Sequence, residues 1–424
     1  MTVPKRQKTH EEKLFDFIDN LGSEAISLMA GLVQRKAIAP VNGGQGEKEK
    51  ADFLEEYLKG LGLGEVQRFS ALDKGIERPN LTMTIKGNDQ SMCLWLVSHL
   101  DVVPEGDRAQ WKDDPFKLKV EGDKLVGRGT EDNNQGIISS ILATKAVRAI
   151  VGSFPIDIGL LFLADEETGS EFGMKYLLRE HRALFGAKDA FVVPDAGNED
   201  GSLIEVAEKS LLWLKIRVVG KQTHASTPHL GKNATVIASK LIVKLGELYD
   251  KFDLRAPVFD PPYSTFEVTK REPNVPNINT IPGDDVFYMD CRILPQTSAD
   301  DVIAFVHEVA QGIAREERAV VQVEQVMRED AAPPTPEDAE LVLRLKEAIR
   351  QVYRVEAKAK GIGGATIASF LRREGFPVVV WGRMDETGHR ANEYAWLSNI
   401  LGDAKVFAKL MMDYQKKEAQ DGKD

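Results

Sequence analysis

Two histidines and three carboxylates stand where apolar, strand-like runs of this chain end. They are His99 after MCLWLV, Asp132 in GRGTEDNN, Glu167 in FLADEETGS, Asp195 in FVVPDAG and His389 in DETGHRANEY. Imidazole nitrogens and carboxylate oxygens are donors that one or two divalent cations of the zinc, cobalt or manganese class accept. Glu166 sits directly beside Glu167, so the two side chains leave the strand end in different directions. One can bind a cation while the other reaches a water molecule. A water beside such a cation is strongly acidified, and a neighbouring carboxylate can pass its proton to a leaving amine. The set predicts metal-assisted hydrolysis.

Taken singly, each residue has a plainer role. Asp132 precedes a helix and would serve as its N-cap, Asp195 as a strand cap, Glu166 and Glu167 as solvated loop acids, and His389 as an exposed histidine. His99 has Asp101 two residues on, a carboxylate able to accept from its second ring nitrogen and fix its tautomer. His10, His181, His229 and His307 lie in no comparable setting, whereas His224 in THASTP follows a strand. The joint occurrence, at the ends of several strands, carries the reading. In an open α/β sheet, ligands bind beyond the carboxyl ends of the strands, so folding gathers such residues at one edge.

The elements that must position them follow from the hydrophobic pattern. Residues 11–35 and KADFLEEYLKGLG have helical spacing, and LTMTIKG and MCLWLVSH read as strands. GIISSILATKAVRAIV (helix), IDIGLLFLAD (strand), EFGMKYLLREHRALF (helix) and DAFVVPD (strand) continue the alternation. The fold class is α/β, with a mostly parallel, doubly wound sheet. From residue 210 the texture changes. Strands SLLWLKIRVVGK, STFEVTKREP, DDVFYMDCRIL and VVQVEQVM, with helices ATVIASKLIVKLGELYDKF and SADDVIAFVHEVAQGIAREE, predict two helices on an antiparallel sheet. This inserted α+β domain spans 210–328 and divides a catalytic domain of 1–209 and 329–424. Its end is marked by the proline cluster of REDAAPPTPED. ELVLRLKEAIRQVY, FPVVVWG and AWLSNILGDAKVFAKLMMDYQ resume the α/β pattern, and QKKEAQDGKD is predicted to be a frayed tail.

Composition sets the surroundings. A chain of 424 residues exceeds one ordinary domain, and 42% hydrophobic with 29% charged residues is that of a soluble globular protein. A net charge of −11 argues against nucleic acid as a partner. No apolar run approaches the roughly 18 residues needed to cross a bilayer, and MTVPKRQKTHEEK has no apolar signal core. Cys93 and Cys291 lack zinc-motif spacing and read as small core hydrophobes of a reducing compartment. The expected location is the cytoplasm. GRGTEDNN does not satisfy G-x-G-x-x-G, which separates the chain from nicotinamide-dependent oxidoreductases.

With SHLDVVP, GRG followed by Asp132, DEETGS and the late HRANE in place, the chain resembles a family of co-catalytic metallopeptidases and amidohydrolases. That family includes acetylornithine deacetylase, succinyl-diaminopimelate desuccinylase, aminoacylase, glutamate carboxypeptidase and carnosinase-like dipeptidases. The resemblance covers nearly the whole chain, including the inserted domain. It implies that Asp132 bridges two ions, usually zinc, with His99 and Asp195 completing one site and Glu167 and His389 the other. It further implies that Glu166 is the general base acting on a metal-bridging water, and that Asp101 orients His99. His224 would polarise the scissile carbonyl, reaching the site of the partner subunit in a homodimer. Asn279 in NINTIPG, Arg292 in DCRILP and the Gly363–Gly364 loop of GIGGAT would hold the substrate carboxylate. The inserted domain would act as a lid and dimerisation module. The substrate implied is an N-acyl amino acid, with a dipeptidase or carboxypeptidase as the alternative. A non-catalytic binding protein on this scaffold would be expected to lack Glu166 or a ligand, and this chain keeps them all. One departure is local. Where many members read D-M-K-G, this chain has Asp132-Asn133-Asn134-Gln135-Gly136.

Overall fold

The computed structural model describes residues 8–414; the predicted C-terminal tail lies outside them. The main strands, in chain order, are β1 (Glu65–Asp73), β2 (Ile76–Ile85), β3 (Asp89–His99), β4 (Ile156–Leu163), β5 (Ala190–Asn198) and β6 (Leu203–Glu208). They continue as β7 (Ser210–Val219), β8 (Thr265–Arg271), β9 (Asp284–Ile293), β10 (Val320–Glu329), β11 (Lys358–Ile362) and β12 (Val378–Arg383). The chain divides into two compact units. The first takes the residues up to Val206, Thr335–Ala359 and everything from Thr366. The second comprises Ala207–Pro334 and a short return, Lys360–Ala365. That return carries Gly363 and Gly364, which the sequence expectation had left in the catalytic domain.

The first unit is built on an eight-stranded sheet in the order β1-β2-β4-β3-β5-β12-β6-β11. The four central strands β4-β3-β5-β12 are mutually parallel, while β1, β2 and β6 join antiparallel. The central strands are apolar without alternation because helices cover both faces: IDIGLLFL of β4 is buried at every position. Gly159 of β4 leaves space for the Trp95 ring of β3, into which a Cβ would fall at 2.2 Å. The buried indole N–H of Trp95 is satisfied by Asp189 at 2.8 Å. Strand β1 escaped the sequence reading because EVQRFSALD is a polar edge strand, held chiefly by its ladder to β2. The predicted helix over 11–35 is two helices, His10–Asp19 and Gly22–Val33.

The second unit is an antiparallel sheet, β8-β9-β7-β10, with helices Ala234–Leu245 and Ala299–Glu317 packed on it. The alternating burial of β7 and β9 presents Leu212, Leu214, Ile216, Phe287, Met289 and Cys291 to those helices.

In the first unit, Arg372 forms a bidentate pair with Glu205 at 2.9 and 2.8 Å, both side chains being buried. Removing one member strands the other charge in the interior. Arg372→Ala is therefore expected to destabilise the protein by about 3–5 kcal/mol in urea unfolding, whereas a surface pair such as Lys48–Asp52 changes stability by less than about 1 kcal/mol on removal.

Candidate dinuclear metal centre

The four parallel central strands deliver the site. His99 is the last residue of β3, and Glu166 and Glu167 lie just past the end of β4. Asp195 lies near the end of β5, and His389 follows β12. Leu96 pairs with Val192 across β3 and β5, and His99 and Asp195 each stand three residues further along. Asp132 comes from the loop that enters helix Gly136–Ile150.

Asp132 is the common member of two candidate ligand groups. His99, Asp132 and Asp195 offer donor atoms within 4.8 Å of one another, as do Asp132, Glu167 and His389. The Asp132 carboxylate presents Oδ1 to Nε2 of His99 at 2.8 Å and Oδ2 to Nε2 of His389 at 3.1 Å. His99 Nε2 also lies 3.3 Å from Asp195 Oδ1, and His389 Nε2 lies 2.9 Å from Glu167 Oε2. The other oxygen of Glu167 is buried without a partner among the described residues. A set of carboxylates and imidazoles converging on shared points, with a carboxylate oxygen left unsatisfied, fits hard or borderline divalent cations.

The ring of His99 is set by its second nitrogen. Nδ1 faces the main-chain oxygen of Asp101 at 3.0 Å and so carries the hydrogen, leaving the Nε2 lone pair for a cation. This modifies the expectation for Asp101, whose carboxylate stands 3.5 Å from Nδ1. That carboxylate instead accepts from the main-chain N–H groups of Glu166 and Glu167, each at 3.0 Å. Asp101 thus orients the loop bearing both glutamates as well as the imidazole.

Electrostatics reflect the crowding. Burial disfavours the charged form of Asp132, yet hydrogen bonds from His389 and His99 hold its carboxyl well below the usual range. Burial and the charges of Asp195, Glu167 and Asp101 push Glu166 well up. Its carboxylate takes no hydrogen bond from the described residues. His389 is pushed up to about 10 by its contacts with Asp132 and Glu167. A cation binding here takes the place of protons on these groups.

Two buried glutamates lock the loops to each other. Glu131 accepts from the main-chain N–H groups of Asp385, Thr387 and Gly388, pinning the segment that carries His389. Glu393, on that same segment, accepts from the N–H groups of Gly129, Glu131 and Asp132 at 3.0, 3.0 and 3.1 Å, and from Arg128 at 2.6 Å. Each loop supplies the carboxylate that holds the other. His389 itself sits at φ +63°, a left-handed conformation unusual for a non-glycine residue. Gly388 packs closely on the ligand, since a Cβ there would lie 3.0 Å from Asp132 Oδ2. Glu131 and Glu393 stand inside the segments GRGTED and HRANE, but neither segment shows by itself which N–H groups its acid meets.

The departure at 133–135 is also accounted for. Asn133 donates to Asp195 Oδ1 and to the Pro194 carbonyl, each at 2.6 Å, fixing the ligand on β5. Gln135 donates to the Arg383 carbonyl at 2.7 Å and to Asp403 at 3.1 Å, tying the loop to the end of β12. Asn134 accepts from the buried Lys50 at 3.5 Å. A cleft of about 250 Å³ opens beside Asp132, Asp195 and His389, with Ala196, Met384 and Glu386 also on its walls.

The remaining expected residues belong to the second unit. His224 pairs in register with Thr280, and Ala225 N–H donates to the Asn279 carbonyl, so His224 and Asn279 are neighbours. His224 is exposed, and its Nδ1 accepts from Ser226 N–H, which places the ring hydrogen on Nε2. Arg292 donates to the Gly363 carbonyl at 2.7 Å and makes a bidentate pair with Asp290. The guanidinium therefore already spends three of its five N–H groups within the unit.

The family model for peptidase family M20/M25/M40 matches residues 95–413. The chain belongs to this family. Among its relatives, an uncharacterized metallohydrolase of Methanococcus maripaludis is 37% identical over 409 residues, covering 92% of this chain and 98% of that protein. The succinyl-diaminopimelate desuccinylase of Sulfurovum is 27% identical over 386 residues, covering 90% and 96%. Among solved structures, the aminopeptidase PepT of Bacillus cereus superposes with a TM-score of 0.74 at 20% identity, covering 93% of this chain and 99% of that one. The protein is a dinuclear metallohydrolase acting on amide or peptide bonds. None of its described helices is long and apolar enough to cross a membrane.

The mutual clamp makes a direct prediction. Glu131→Gln turns one acceptor oxygen into an amide donor facing main-chain N–H groups, a mismatch of about 1–3 kcal/mol. The variant is expected to remain folded but to retain less divalent metal per chain than the natural protein after dialysis, measured by atomic absorption.

Proposed function

We propose that this protein hydrolyses the amide bond of an N-acyl amino acid, releasing the acyl group as a carboxylate. The reading includes zinc as the native ion and a cytoplasmic homodimer. The observation that carries it is the pairing of Asp132, one oxygen towards each histidine, with a half-buried Glu166 whose carboxylate takes no hydrogen bond from the described residues. Similarity along nearly the full length of a desuccinylase favours a deacylase over a peptidase.

In this mechanism His99 and Asp195 would hold one ion and Glu167 and His389 the other, with Asp132 a member of both candidate groups. Such ions, when bound, acidify a water molecule and draw electron density from the scissile carbonyl. Glu166 takes the proton of the attacking water and returns it to the leaving nitrogen. Its raised proton affinity suits the first of these transfers. Asp101 keeps Glu166 and Glu167 in place through their main-chain N–H groups. His224, reaching the site of the partner subunit in the homodimer, donates its Nε2–H to the carbonyl oxygen as negative charge grows there. Arg292 binds the substrate carboxylate through its remaining N–H groups, with Asn279 and the Gly363–Gly364 loop completing that subsite.

Glu166→Gln is expected to bind zinc as the natural protein does and to lose about 10²–10⁴-fold in kcat. Full turnover with normal zinc content would remove the assignment of Glu166 as base. The substrate class is tested by hydrolysis of N-acetyl and N-succinyl amino acids and of dipeptides, after chelation and with zinc, cobalt or manganese restored. Metal-dependent release of acetate or succinate is expected. Preferential cleavage of dipeptides would reassign the protein as a peptidase, and cleavage of none would end the reading.

A further inference from the structure

Lys50 belongs to the first turn of the helix Lys48–Leu61, and its side chain is almost wholly buried. Its ammonium group makes no ion pair with any described residue; its hydrogen bond goes to Asn134 Oδ1 at 3.5 Å, near the limit of such contacts. The other buried cations nearby are taken. Arg78 is paired with Glu47 at 2.6 Å and with Asp165 at 3.1 Å, and Arg128 with Glu393 at 2.6 Å. An unpaired ammonium in the interior is expensive unless a surrounding field holds it. Burial lowers the Lys50 pKa to about 8, against the attraction of Asp101, Glu393, Glu47 and Asp132. Two of those four, Asp101 and Asp132, also face the candidate metal ligands directly. The ammonium thus touches the loop that carries Asp132 through the neutral Asn134 amide, and the acids of the site attract it.

We infer that Lys50 is a resident counter-charge that stabilises the acidic centre when it holds no metal and opposes the cations that bind there. The inference rests on the dinuclear reading of the site. Its physical basis is that one positive charge behind a carboxylate cluster relieves their mutual repulsion, and the same charge repels a divalent ion placed among them. The two effects are reciprocal by linkage, so a change at Lys50 has to appear as a change in metal affinity.

The test uses the full-length protein and Lys50→Met, each stripped by chelation. Thermal midpoints are measured without metal and with zinc, and zinc affinity by competition with a chromophoric chelator. Zinc is expected to raise the midpoint of Lys50→Met by more than it raises that of the natural protein, and to bind the variant about tenfold more tightly. Lys50→Arg, which keeps the charge, is expected to show the natural zinc response. Equal zinc-induced shifts with unchanged affinity would make Lys50 a packing residue, and weaker binding would make it a support for the Asp132 loop; either overturns the inference. A Lys50→Met protein that folds neither with nor without zinc overturns it too, since zinc ought to supply the missing charge. Failure of the natural protein to bind zinc, cobalt or manganese would instead sink the dinuclear reading itself.

Discussion

Carboxylates repel one another, and this protein collects Asp101, Asp132, Glu166, Glu167 and Asp195 at the end of four parallel strands. Much of the surrounding structure answers that repulsion. His99 and His389 each face one oxygen of Asp132. Main-chain N–H groups converge on Asp101, Glu131 and Glu393. Arg128 pairs with Glu393, and Lys50 donates to Asn134 in the loop that carries Asp132. The concentration of acid is what gives the site its affinity for divalent cations, and the buried supports keep it assembled.

The supports form two kinds of contact. One joins loop to loop: Glu131 and Glu393 cross between the segment of Asp132 and the segment of His389, some 260 residues apart in sequence. The other joins loop to sheet: Asn133 reaches β5 and Gln135 reaches β12. Both use amide or carboxylate groups against main-chain atoms, those of the facing loop in the first kind and those of the sheet in the second. A side chain held this way has little rotamer freedom left, which is what a ligand needs to meet a cation without reorganising.

Much of this was legible in the sequence, and for identifiable reasons. Strands buried on both faces, such as β3 and β4, announce themselves as continuous apolar runs, and the acid or histidine that follows each run is then a strand-end residue. The antiparallel unit was legible from alternation in SLLWLKIRVV and DDVFYMDCRI, which the observed burial follows. Less legible were β1, β6 and β11, short or polar strands whose ladder partners are distant in the chain. The clamp of Glu131 and Glu393 could be read only as two acids inside motifs, because nothing local shows which N–H groups they meet.

The amino-acid sequence by itself determined which acids and histidines follow which strand ends, since hydrophobic period and residue type are local properties. Tertiary structure alone decided that Asp132 divides its oxygens between two histidines, that Asp101 bonds His99 through its carbonyl, and that Asn134 meets a lysine from a helix 84 positions earlier. Those outcomes depend on distances between segments remote in sequence. Such distances are set by the packing of the whole sheet and its helices, and no local pattern encodes them.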